Sequence, residues 1–205
     1  MDAPRDTRKL AAGSRAHVSL IPNALTAVRL VCVPLVLWLA HGETVGRLVG
    51  ALVVFVLAGI SDWLDGYLAR RWKSITAFGT FIDPITDKLL ILGMLFVFSD
   101  QGLLPLWLVL VNLFREMAVT GVRQVKAAQG VLVGTNWMGK TKFVLQSALV
   151  AGILAYRILV VRGTDVPHGR EIVFWAAFAV TAVSMAMVLN FLRWHARELL
   201  DGRRP

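Results

Sequence analysis

Cysteine and acidic residues are both scarce in this chain of 205 residues, which has one cysteine, Cys32, and 13 Asp and Glu against 22 Lys and Arg. A lone cysteine excludes an intrachain disulfide, and its position inside an apolar run reads as buried filling rather than redox chemistry. Charge of either sign is sparse at 17%, against 57% hydrophobic residues and a mean hydropathy of +0.65. A soluble core of that density would leave too little polar surface to cover it, whereas a bilayer accepts apolar side chains on the outside of every helix. There is no internal repeat and no low-complexity segment beyond the polar first 18 residues and the basic stretch after Arg193. The net charge of +9 does not come from basic residues interleaved with exposed aromatics, so nucleic acid is not an expected partner; anionic lipid headgroups are.

Six stretches approach the roughly 20 apolar residues needed to cross a bilayer, near 22–40, 46–69, 79–98, 103–126, 142–161 and 170–192. An all-α, polytopic membrane protein is the expectation. The start, with Arg5, Arg8, Lys9 and Arg15, superficially resembles a signal peptide, but the apolar run is long and no small-residue cleavage site follows, so it is expected to remain as the first span. Basic residues fall mainly at one side: those four, then Arg70, Arg71 and Lys73, then Arg123, Lys126, Lys140 and Lys142, then Arg193, Arg197, Arg203 and Arg204. The alternate joints hold Arg47, Arg157, Arg162 and Arg170. This asymmetry puts both termini in the cytoplasm, and the tryptophans mostly sit near span ends as interfacial anchors.

Ionisable groups in hydrocarbon are costly and persist mainly where a site needs them. Arg29, Asp62, Asp65, Asp83, Asp87, Lys88, Arg115 and Glu116 all lie within expected spans. Asp62 and Asp65 are three apart and Asp83 and Asp87 four apart, so each pair shares a helix face. If the two helices run antiparallel, Asp65 falls level with Asp83 and Asp62 with Asp87. Four converging carboxylates need divalent cations, and an all-oxygen set without His or Cys favours two Mg²⁺ or Mn²⁺ ions over Zn²⁺. The plainer alternative is that these acids cap helices or pair with Arg70, Arg71, Lys73 and Lys88. His17, His41, His168 and His195 lie away from the aspartates and are assigned no role.

The pattern Asp62-x-x-Asp65-Gly66-x-x-Ala69-Arg70, eight residues, then Gly79-x-x-x-Asp83-x-x-x-Asp87, resembles the signature of the CDP-alcohol phosphotransferases at every defined position. That resemblance implies a bundle of six transmembrane helices and transfer of a phosphatidyl or similar group from a CDP-linked donor to an alcohol, with release of CMP. It makes Asp62, Asp65 and Asp83 metal ligands, and Asp87 the general base and a further ligand. Gly66, Ala69 and Gly79 would line the cytidine pocket and Arg70 would contact donor phosphate. Close helix packing for the small residues, and a positive-inside anchor for Arg70, remain open alternatives. The implied organisation is a cytoplasmic segment over 1–18, a catalytic membrane domain over 19–195 and a basic tail over 196–205. The family also suggests a homodimer through the third and fourth helices.

Arg115 and Arg123 lie two turns apart on the fourth expected helix, and Lys140 and Lys142 enter the fifth. Such a cationic group suits an acceptor that bears a phosphate. The segments Ile21-Pro22-Asn23-Ala24-Leu25-Thr26-x-x-Arg29, Arg115-Glu116-x-x-x-Thr120-x-x-Arg123 and Gly139-Lys140-x-Lys142 look like the phosphatidylglycerophosphate synthase branch, although Phe143 stands where that branch often has Thr. The branch implies CDP-diacylglycerol as donor and glycerol 3-phosphate as acceptor, with Asn23, Thr26 and Arg29 supporting the donor end. Helix capping by Asn23, and lipid-facing charge for Lys140 and Lys142, are the plainer alternatives. Rival functions are a sibling enzyme with inositol phosphate, serine or a lipid alcohol as acceptor, and a cation-coupled transporter. The acids favour the enzyme, because they lie toward one face in a single hairpin without a second matching set.

Overall fold

The computed structural model describes residues 30–72, 77–129 and 137–200, with side chains described for 30–61, Thr86, 88–129 and 141–193. The described residues form helices joined by short irregular segments: α1 (Leu30–Ala40), α2 (Val45–Trp72), α3 (Ala77–Asp100), α4 (Leu106–Ala128), α5 (Trp137–Val161) and α6 (Gly169–Leu200). No strand occurs among them. The all-α expectation holds, with a described helix in each of the six apolar stretches. The chain divides into two compact units, 1–90 and 91–205, the division falling within α3.

Turn chemistry explains where several helices stop. At the end of α3, Gly102 adopts φ 68, its N–H bonds to the Ser99 carbonyl at 2.9 Å, and the Leu103 N–H bonds to the Phe98 carbonyl at 2.9 Å. The same paired bonds close α5 around Gly163 at φ 81. This left-handed closure satisfies carbonyls that the last helical turn leaves open, and it favours glycine because a Cβ is disfavoured there. Pro105 then begins α4, where a missing N–H costs nothing.

In the first unit α1 and α2 form a helical hairpin. Arg47 donates from Nη2 to the Trp38 carbonyl at 2.6 Å, and its guanidinium lies 4.3 Å from the Trp38 ring centroid. Val33, Val36 and Ala40 on α1, and Leu48, Ala51, Phe55 and Ala58 on α2, are buried at helical spacing.

In the second unit both α4 and α5 pack on α6. The buried stripe of α6 consists of Val173, Ala177, Thr181, Ser184 and Val188, small or β-branched residues that allow neighbouring backbones to approach closely. Gly169 is such a point, since a Cβ there would strike the Tyr156 ring. Three side chains then tie the three helices together. Asn112 donates to Thr181 Oγ1 at 2.9 Å and to the Leu108 carbonyl at 3.0 Å, and accepts from Gln146 Nε2 at 3.0 Å. Asn112 thereby uses both donors and its carbonyl oxygen at 2% exposure.

The distribution of polarity in α4 is inverted relative to a soluble helix. Leu106, Leu110, Phe114, Met117 and Val125 face outward, whereas Asn112, Arg115, Glu116 and Lys126 are buried. A water-facing helix places charge outside and hydrocarbon inside; a lipid-facing helix can do the reverse. The segments Thr141–Val161 and Gly169–Arg193 are long and apolar enough to cross a bilayer, and Leu30–Ala40 and Val45–Ser61 are shorter apolar helices. Trp38, Trp107 and Trp175 are at least half exposed, as amphipathic anchors in a bilayer would be.

Candidate active site

Both aspartate pairs stand on continuous helix. Asp62 and Asp65 lie in α2 with Gly66, Ala69 and Arg70, and Asp83 and Asp87 lie in α3 with Gly79. Asp62 is ten residues before the end of α2 and Asp87 ten residues after the start of α3; Asp65 and Asp83 are seven and six residues from those same ends. At about 1.5 Å per residue, the four stand at matched distances of about 9–15 Å from the helix ends that the 73–76 segment joins. Carboxylate oxygen as the only donor type, in two registered pairs, fits hard divalent cations. The side chains of these eight signature residues lie outside the described residues, as do the whole of Asn23, Thr26 and Arg29 and the side chain of Lys140.

The basic residues of α4 and α5 are described, and they meet around an acid. Arg115 Nη1 donates to Glu116 Oε1 at 2.9 Å, and Lys142 Nζ bonds to the same oxygen. The exposures of these side chains are 4% for Arg115, 9% for Glu116 and 18% for Lys142. An isolated buried guanidinium would be strongly unfavourable, so Glu116 is what allows Arg115 to be inside. The Thr120 hydroxyl donates back to the Glu116 carbonyl at 2.8 Å, a local bond typical of a hydroxyl within a helix.

One turn away, the Asn112–Gln146 bond repeats the pattern. Asn112 and Glu116 are four apart on α4, and Gln146 and Lys142 are four apart on α5 in the opposite direction, so the two bonds are successive rungs between the helices. The upper rung is neutral and carries α6 through Thr181; the lower is charged. Further along the same face of α4, Arg123 is half-buried and Lys126 buried. The Nε atoms of Arg115 and Arg123 are buried without a hydrogen-bond partner among the described residues.

Structure thus brings Arg115 and Lys142 together, with Arg123 two turns along α4 from Arg115. It also assigns work to residues to which sequence reasoning gave none: Glu116 as the shared counter-ion, and Asn112, Gln146 and Thr181 as the neutral tie. The four-residue spacing of Asn112 and Glu116, and of Lys142 and Gln146, gains this meaning only once the register of α4 against α5 is known. Among the described residues two cations, Arg115 and Lys142, meet the one carboxylate of Glu116, a composition suited to an anion.

The family profile described as CDP-alcohol phosphatidyltransferase matches residues 19–191. A protein of Bacillus subtilis (strain 168) named CDP-diacylglycerol–glycerol-3-phosphate 3-phosphatidyltransferase is 35% identical over 177 residues, covering 80% of this chain and 90% of its own length. A protein of the same name from Rickettsia bellii is 35% identical over 173 residues, again covering 80% and 90%. A cardiolipin synthase (CMP-forming) of Streptomyces coelicolor is 47% identical over 103 residues, covering 49% of this chain and 48% of its own. With a profile match over most of the chain, the complete aspartate signature on α2 and α3 and the inverted polarity of α4, this membrane protein belongs to the CDP-alcohol phosphatidyltransferase family.

Proposed function

We propose that the protein transfers the phosphatidyl group of CDP-diacylglycerol to glycerol 3-phosphate, giving phosphatidylglycerophosphate and CMP in phospholipid biosynthesis. The observation that carries this reading is the 35% identity, over nine-tenths of their length, to relatives named for that reaction. The meeting of Arg115 and Lys142 at Glu116 supports it, because a phosphate-bearing acceptor gains charge-assisted hydrogen bonds there that a neutral alcohol would not.

The reaction needs a proton removed, a phosphorus–oxygen bond made and another broken. Asp87 takes the proton from the free primary hydroxyl of the acceptor, whose oxygen attacks the β-phosphorus of the donor. The bond from that phosphorus to CMP breaks, and CMP leaves. Two divalent cations, Mg²⁺ or Mn²⁺, held by Asp62, Asp65, Asp83 and Asp87, would neutralise charge that develops on the departing group. Gly66, Ala69 and Gly79 admit the nucleotide close to the backbone, with Arg70 at its phosphates and Asn23, Thr26 and Arg29 supporting the donor end. Arg115, Arg123, Lys140 and Lys142 hold the acceptor phosphate. Six spans with both termini in the cytoplasm let the acyl chains stay in the bilayer while water-soluble glycerol 3-phosphate arrives from the cytoplasm, and two copies pair through α3 and α4.

A second reading, with a lipid alcohol as acceptor, is favoured by the 47% identity to the Streptomyces coelicolor cardiolipin synthase. The discriminating experiment offers purified protein CDP-diacylglycerol with glycerol 3-phosphate, phosphatidylglycerol, inositol phosphate or serine in turn and measures CMP. Release that depends on glycerol 3-phosphate supports the reading. Release with phosphatidylglycerol and none with glycerol 3-phosphate replaces it with the second, and cation flux without any CMP refutes both.

A further inference from the structure

We propose that Glu116 belongs to the acceptor site itself, as the built-in anion whose place the acceptor phosphate takes; the inference rests on the proposed reaction with a phosphate-bearing alcohol. Two cations from different helices, Arg115 of α4 and Lys142 of α5, converge on one oxygen of Glu116. Convergence on a single oxygen is the arrangement that a phosphate oxygen meets when Arg and Lys bind it together. At 4% side-chain exposure, Arg115 cannot reach a dissolved anion while Glu116 lies against it. It nevertheless retains a donor for one, since its buried Nε has no partner among the described residues.

The scaffold beneath this contact is fixed independently of it. The Asn112–Gln146 bond and the Asn112–Thr181 bond hold the register of α4, α5 and α6 one turn away. Only the Glu116 side chain has to swing aside, and the two cations then face the incoming anion at the spacing that the neutral rung sets. A phosphate monoester, carrying more negative charge than a carboxylate, takes over both cations. A neutral hydroxyl compound leaves the buried Arg115 guanidinium without a counter-ion, and is refused for that reason. Glu116 therefore selects for a phosphate-bearing acceptor and weakens its apparent affinity by the fraction of molecules in which Glu116 has moved away.

Glu116→Gln preserves shape and an accepting oxygen while removing the charge. In the purified full-length protein, the inorganic phosphate concentration giving half-maximal thermal protection should fall about tenfold, as removal of a competing state requires. The KM for glycerol 3-phosphate should fall by a similar factor and the KM for CDP-diacylglycerol should stay within about twofold. A counter-ion with only a structural role has the opposite sign: the phosphate midpoint and acceptor KM rise or stay while Tm drops, and that result overturns the proposal. Glu116→Asp keeps the charge but draws it back by one methylene, and should lower the phosphate midpoint by about threefold. If Glu116→Gln does not fold, Glu116→Asp decides, and an unchanged or raised midpoint in that variant overturns the proposal. Phosphate protection requires no turnover. Wild-type protein that binds phosphate but never consumes glycerol 3-phosphate would defeat the proposed function, with the Glu116 inference still read from the phosphate midpoints.

Discussion

The charged residues of α4 and α5 and those of α2 and α3 solve opposite problems. On α4 and α5 the charges are mixed, and Glu116 answers Arg115 and Lys142 in a setting that exposes 18% or less of each side chain. On α2 and α3 the signature positions Asp62, Asp65, Asp83 and Asp87 are all acids, at matched distances from the joined helix ends. A mixed cluster can be buried with no ligand present because its members compensate one another, whereas a like-charged cluster needs cations from solution. The difference divides the proposed work: one region recruits metal for chemistry, and the other holds a reserved place for an anion.

The comparison breaks first at Asp87. Asp87→Asn should lower kcat by about a thousandfold, the scale of a positioned general base, with binding of CDP-diacylglycerol largely retained. A kcat near that of wild type would refute the assignment. Next in size is Arg123→Ala on the anion side: loss of one charge-assisted bond should raise the acceptor KM about tenfold and leave the donor KM within twofold. An effect confined to the donor would merge the two regions into one. Asn112→Leu probes the neutral tie. It leaves Gln146 and Thr181 without their partner and should reduce unfolding free energy in detergent by about 1–2 kcal/mol. Ser184→Ala is the smallest change, since Ser184 Oγ is buried without a partner among the described residues; stability should change by less than about 0.5 kcal/mol or rise slightly.

The helical architecture was legible because apolar stretches of bilayer length and glycine-bearing joints are local properties of a sequence. Gly102 and Gly163 end α3 and α5 as such residues do, and Pro105 opens α4. Helix ends were less legible: α2 continues to Trp72 and α6 to Leu200, past the apolar residues, because backbone hydrogen bonding does not stop where hydropathy does. The aspartate positions could be read because like charges at three- and four-residue spacing form a pattern within one helix. The role of Glu116 could not be read, because it depends on which residue of α5 stands opposite, and that register is set by Asn112 and Gln146 rather than by any local spacing. Thr181 was still less visible, as one hydroxyl among the apolar residues of α6 that gains meaning only when α4 packs beside it.

In the proposed transfer to glycerol 3-phosphate, the acids of α2 and α3 work through bound divalent cations. The direct measurement is glycerol 3-phosphate-dependent CMP release by purified protein, before and after stripping of divalent ions and on titration with Mg²⁺ or Mn²⁺. Release should vanish on stripping and return with either ion, and Asp62→Asn or Asp83→Asn should move the required ion concentration upward. Release that persists undiminished in stripped protein would contradict the account.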